Sequence, residues 1–114
     1  MFDLGTLVTF CSGGSRYTGF VIGTCSYDGC SEPNAYVVRY IWKVEEDEPR
    51  KPYTIADAKG VELVTEYTDD FFVGGHWSAT PDDRCTQWKL KREKGLLRIV
   101  PKITRASKKG PQDQ

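Results

Sequence analysis

Four cysteines and one histidine are the residues of this chain best suited to metal binding or nucleophilic catalysis. The thiols are Cys11, Cys25, Cys30 and Cys85, and the imidazole is His76. Zinc takes four such ligands, usually from two pairs whose members lie about two to four residues apart. Here Cys25 and Cys30 form a single loose pair, and the other two cysteines are remote. The spacing favours reduced cysteines, buried as small apolar side chains in strands at Cys11 and Cys25, over a zinc site or a disulfide.

The same residues offer one catalytic pairing, a dyad of Cys85 and His76. A thiol and an imidazole can meet in space at any sequence separation, but no local motif supports this pair. The glycine-rich stretch "SGGSRYTG" (12–19) matches neither nucleotide-binding fingerprint. We therefore predict a non-enzymatic protein with no metal and no cofactor. A zinc-stabilised domain or a Cys–His enzyme is the second alternative.

The distribution of charge indicates a binding partner more strongly than the cysteines indicate a metal, because the two halves of the chain carry net charges of opposite sign. Residues 1–70 carry twelve acids and six bases, a net charge of −6, whereas residues 71–114 carry four acids and ten bases, a net charge of +6. The candidate contact residues are Lys89, Lys91, Arg92, Lys94, Arg98 and Lys102. Such a basic surface attracts nucleic-acid phosphates, without reading sequence, or an acidic protein surface. A solvated face without function is the remaining interpretation.

Aromatic side chains offer a further binding surface, formed by Tyr17, Tyr27, Trp42 and Tyr53. Aromatic rings hold organic cations by cation–π attraction, worth roughly 0.5–2 kcal/mol. Rings at alternate strand positions also fill cores, and this second interpretation stays open.

These residues need strands to position them, and the sequence alternates strand-forming runs with turn residues. The run "AYVVRYIWK" (35–43) alternates, with both faces partly apolar. The segments 86–92 and 96–103, joined by "EKG", predict a hairpin with Trp88 and Leu90 inward and Lys89 and Lys91 outward. Short strands with hairpin-length connections indicate a mainly β, antiparallel fold, a small barrel or sandwich, and a barrel fits them best.

Several motifs resemble the small SH3-like proteins of Tudor or KOW type that are common among uncharacterised phage and prophage genes. The matching positions are an opening Leu4, Gly5 and Leu7 or Val8, then Gly19, Val21 and Gly23, then Tyr36, Val38 and Tyr40, and a closing Val61, Glu62 and Leu63. The resemblance covers residues 2–64. It implies an SH3-like barrel that acts as a binding module, a phage-type accessory protein whose partner is a host protein. A nucleic-acid-binding domain using the basic hairpin is the first alternative.

The rest of the chain extends this predicted barrel. Residues 65–103 are expected to form a C-terminal hairpin extension packed on the barrel or completing it, and residues 104–114 a disordered basic tail. No apolar run reaches the ~20 residues of a membrane helix, and the opening residues lack a basic leader. The expected location is therefore the cytoplasm, that of the host if the protein is viral, with no membrane partner.

Overall fold

A computed structural model describes residues 1–26, Gly29, 31–74 and 87–102, and within them the protein is mainly β. The strands are β1 Leu7–Ser12, β2 Ser15–Cys25, β3 Ala35–Lys43, β4 Tyr53–Asp57, β5 Glu62–Leu63, β6 Phe71–Val73, β7 Gln87–Glu93 and β8 Leu96–Lys102. A 3-10 turn, Ala58–Gly60, follows β4, and Asp57 caps it by accepting a hydrogen bond from the Lys59 N–H. The antiparallel, mainly β class predicted from the sequence is confirmed.

The strands form one main sheet in the order β4-β3-β2-β1-β5, with β6 paired to the end of β3 beyond β4. β7 and β8 form a separate two-stranded hairpin. This hairpin joins the sheet through a bridge between Thr6 and Arg98 and through the Ile99 N–H, which donates to the Gly5 carbonyl over 2.8 Å.

The predicted closed barrel is wrong, because in the described part of the chain the sheet stays open. Closure would need β5 to pair with β4, but β5 is only Glu62–Leu63 and, within the described residues, pairs with β1 alone. A strand of two residues offers few backbone groups for pairing. The described residues form an open antiparallel sheet with the β7–β8 hairpin packed on its outer face.

The sheet buries apolar side chains on both faces, in two separate clusters. The first core contains Val8, Phe10, Val21, Tyr36, Val38, Tyr40, Ala56 and Val61. The second core contains Leu7, Phe20, Ile41, Val73, Leu97 and Ile99, with Trp88 and Leu90 packed against it. Successive residues of a strand point to opposite faces, so β3 supplies Tyr40 to the first core and Ile41 to the second. The apolar character of both faces of β3 therefore arises because the hairpin covers the outer one.

No helix in the described ranges is both long and apolar enough to cross a bilayer. The predicted tail, 104–114, lies outside the described residues.

Candidate binding surface

The hairpin of β7 and β8, with its turn, carries all six basic residues predicted to bind a partner. Lys94 and Gly95 connect the strands with φ values of 42° and 83°, the left-handed pair that a two-residue type I′ turn requires. The register that follows places Lys91 opposite Arg98 and Leu90 opposite Ile99. Residues directly opposite each other share a face, so the hairpin has one basic and one apolar side.

The apolar side of the hairpin is fixed on the second core. The Trp88 ring lies 5.2 Å from the Phe20 ring, between centroids, and the Arg39 guanidinium sits 5.0 Å above the Trp88 ring. Leu97 and Ile99 are buried. Because this side is anchored, Lys89 and Lys91 must project away from the sheet.

Both arginines of the predicted site are engaged by the chain itself. Arg98 donates from Nη2 to the Leu4 carbonyl over 2.6 Å. Arg92 lies on the anchored side, where Nη1 contacts Asp69 Oδ1 at 2.9 Å and Nη2 donates to the Tyr67 carbonyl at 3.0 Å. Their partners come from remote parts of the chain, and the sequence pattern contains no signal for either contact.

Lysines provide the exposed positive charge. Lys89, Lys91 and Lys94 are all exposed, and we call them the lysine face. Lys91 Nζ lies 3.4 Å from Glu93 Oε2, with both side chains about half exposed, so this pair contributes little to stability. Lys102 ends β8 opposite Gln87, and its side chain lies outside the part of the chain that the structure describes. Of the six predicted residues, the structure therefore leaves three lysines exposed, and one of them, Lys91, lies beside Glu93.

A cleft of about 500 Å³ borders the lysine face, between the segment 65–67 and the hairpin turn. Sequence reasoning missed its tyrosine, Tyr67, which packs on the second core. Within the described residues the Tyr67 hydroxyl is buried without a hydrogen-bond partner. Burial, followed by the negative charges of Glu46 and Glu45, raises the pKa of this phenol to about 12.

We expect Tyr67→Phe to leave the stability at neutral pH unchanged or to raise it by up to about 1 kcal/mol, since no hydrogen bond is lost. Above pH 10 the two proteins should diverge. The unfolded phenol ionises near its ordinary pKa of 10.0, whereas the folded one stays protonated to about 12, so the unfolded state binds fewer protons in that window. The free energy of unfolding of the parent therefore falls as the pH rises from 10 to 12. Urea denaturation of both proteins at neutral pH and across this window checks the expectation, and an equal decline in both would contradict it.

The predicted aromatic surface is only partly assembled. Tyr17 and Trp42 line one cleft of about 270 Å³ together with Glu46 and Asp47, which we call the Tyr17 cleft. The Tyr17 ring packs edge-on against Tyr40 at 5.1 Å between centroids. Tyr53 is exposed on β4, outside the lining of this cleft, and Tyr27 lies outside the described residues.

The structure describes two of the four cysteines, Cys11 and Cys25. Cys11 is exposed and Cys25 half-buried, and both are free thiols. The expected burial of Cys11 is wrong, because its neighbour Phe10 takes the first-core face of β1 and alternation turns Cys11 outward. Cys30, Cys85 and His76 lie outside the described residues, so the zinc site and the dyad stay predictions. In the ranges that are described, no three metal-ligating side chains cluster.

Comparisons with protein-family models, with curated proteins and with solved structures find no match to this chain.

Proposed function

We propose that the protein is a non-enzymatic binding module, a phage-type accessory protein of the cytoplasm, that binds an acidic surface of a host protein. The observation that carries this proposal is the hairpin register. It puts Lys89 and Lys91 on one outward side, with Lys94 at the turn, while the other side is anchored on the second core. A rigid anchor beneath exposed charges lowers the entropy cost of presenting them to a partner.

The contacts that Arg92 and Arg98 make within the chain favour an acidic protein surface over nucleic acid as the partner. Arginine binds phosphate through its two-pronged guanidinium, and here Arg92 and Arg98 donate to Asp69, Tyr67 and Leu4 instead. The lysine face offers three cations, and three phosphate contacts give a salt dependence of slope about −2.7 on a logarithmic scale. This is a shallow dependence for a protein that acts on DNA or RNA.

Charge reversal tests the proposal, with immobilised polyglutamate as the probe and a duplex oligonucleotide alongside it. The double variant Lys89→Glu and Lys91→Glu is compared with Lys51→Glu and Lys59→Glu, which alters the net charge equally at exposed sites off the hairpin. We expect the hairpin variant to bind polyglutamate at least about tenfold more weakly and the control variant to change little. Equal losses in both variants would contradict the proposal. Tighter binding of the oligonucleotide than of polyglutamate by the parent protein would overturn it in favour of a nucleic-acid partner.

The Tyr17 cleft supports a second candidate function, the binding of a cationic side chain. Two aromatic and two acidic residues line it, and the one cation in its described lining, Arg16, is paired with Glu62 at 2.5 Å. Rings and carboxylates together favour a lysine or arginine side chain.

A titration with a short arginine-containing peptide, followed by NMR, tests this second candidate. We expect Tyr17→Leu to weaken binding by about two- to thirtyfold, while Tyr53→Leu, which removes an exposed ring outside the cleft lining, changes nothing. Binding that is insensitive to Tyr17→Leu would remove the cleft from consideration.

A further inference from the structure

The outer edge of β7 is the feature that the proposed function leaves unused. In an antiparallel pair, two residues directly opposite each other either bond to one another or both point their backbone groups away. The Ile99 N–H donates to Gly5, outside the hairpin, so Ile99 and its opposite residue Leu90 form a pair of the second kind. By alternation, the N–H and C=O groups of Trp88, Leu90 and Arg92 all point to the outer edge of β7.

Among the residues that the structure describes, no strand is hydrogen-bonded to this edge of β7. β7 pairs only with β8, and the backbone hydrogen bonds between elements of the described chain include none from Trp88, Leu90 or Arg92. An edge strand with unpaired N–H and C=O groups is a template for another strand. β8, by contrast, is occupied on its outer side by Gly5 and Thr6.

We propose that β7 accepts an added strand from an extended partner segment in which acidic and apolar residues alternate. This inference rests on the proposed function, since the lysine face selects the acidic residues. Lys89 and Lys91 lie on one side of the edge, about 6.8 Å apart along the strand, and carboxylates at alternate positions of the added strand would lie beside them. The other side presents the half-buried Trp88 and Leu90, which suits apolar residues at the intervening positions.

A second copy of this chain is a poor occupant of the same edge. Two β7 strands paired antiparallel about a twofold axis at Leu90 would place Lys89 of each directly opposite Lys91 of the other. Like charges directly across a ladder are destabilising, and edge lysines are a common device against self-association. The charge that disfavours a second copy favours an acidic segment.

Backbone methylation of a probe peptide separates strand addition from simple charge attraction. The probe is an octapeptide of alternating Glu and Val, prepared unmodified, with N-methyl groups on the Val residues, or with N-methyl groups on the Glu residues. Only one of these two sets of amides can face β7. Strand addition therefore predicts that one methylated series loses binding more than tenfold and the other binds as the parent peptide does. Antiparallel addition turns the Val amides toward β7, so it predicts loss of binding in the Val series. Parallel addition turns the Glu amides toward β7, so it predicts loss of binding in the Glu series.

Amide hydrogen exchange of the full chain gives the second readout. The amides of Leu90 and Arg92 should exchange rapidly in the free protein and slow on adding the peptide. Those of Lys89 and Lys91, already bonded to β8, should be slow throughout. Slow exchange of Leu90 and Arg92 without peptide would overturn the inference, because the edge would already be covered.

Failure of this inference and failure of the proposed function are distinguishable. Equal binding of both methylated series, with binding still lost in the Lys89→Glu and Lys91→Glu variant, leaves the lysine face as a charged surface and refutes strand addition. Absence of binding to both the unmodified peptide and polyglutamate refutes both.

Discussion

Replacing Gly19 with alanine is expected to destabilise the protein by about 3 kcal/mol, enough to leave a marginally stable domain largely unfolded on mild heating. Gly19 lies in β2 between Val8 of β1 and Tyr40 of β3. A Cβ built on it would meet Val38 Cγ1 at 2.5 Å and would lie closer still to the Arg39 carbonyl oxygen. That oxygen belongs to the backbone of β3, which also pairs with β4 and β6, so it cannot move aside without breaking the ladder.

Gly23, four residues along the same strand, is the matched control. Its nearest heavy atom to an added Cβ is Val37 Cβ at 4.0 Å, which is ordinary contact. Gly23→Ala should therefore be neutral or stabilising by about 0.5 kcal/mol, since alanine restricts the unfolded chain more than glycine does. Urea denaturation of both variants measures the difference. Similar free energies of unfolding for the two would contradict the close approach of β2 and β3 at Gly19.

The glycines illustrate what the sequence could and could not predict. The glycines inside the β2 pattern, Gly19 and Gly23, predict a bulge or sharp strand curvature, and a register shift does occur between Val21 and Gly23. The sequence could not predict at which glycine an added Cβ would clash with a neighbouring strand, because that depends on which atoms of β3 lie opposite. Such information belongs to the pairing of strands distant in the chain.

The hairpin was the most predictable part of the candidate site. Alternation alone placed Trp88 and Leu90 on one side and Lys89 and Lys91 on the other, as the register confirms. The contacts of the two arginines could not be predicted from this pattern, since Arg98, for example, donates to the Leu4 carbonyl, 94 residues away. A basic residue in a strand pattern has a predictable face, but whether its charge is free depends on tertiary contacts.

The second core explains why β3 is apolar on both of its faces. The sequence showed that β3 is apolar on both faces, whereas a barrel by itself buries only the face turned to its interior. The structure buries the outer face with the hairpin, and Trp88 and Leu90 pack beside Phe20 and Ile41. The hydrophobic periodicity of a strand predicts which of its faces are buried, but it does not predict which element covers them.

Phe20→Ala should be the costliest side-chain truncation on the outer face, at about 4 kcal/mol. Phe20 is 2% exposed and joins the main sheet to the hairpin through its contact with Trp88. Phe72→Ala is the matched control, because Phe72 is 46% exposed and contacts Trp42 at 5.8 Å between ring centroids. We expect the control to cost about 1 kcal/mol. Denaturant unfolding of both variants measures the two costs.

The same variant decides whether the hairpin folds with the sheet. An isolated two-stranded hairpin is marginal in water, so β7 and β8 depend on the second core for their order. Phe20→Ala should therefore shift the transitions seen by tryptophan fluorescence and by far-ultraviolet circular dichroism together, to the same lower denaturant concentration. Two separated transitions would contradict this and make the hairpin an independent unit. If the transitions coincide, the lysine face exists only while the second core is intact, and polyglutamate binding should be lost at the same denaturant concentration as the fold.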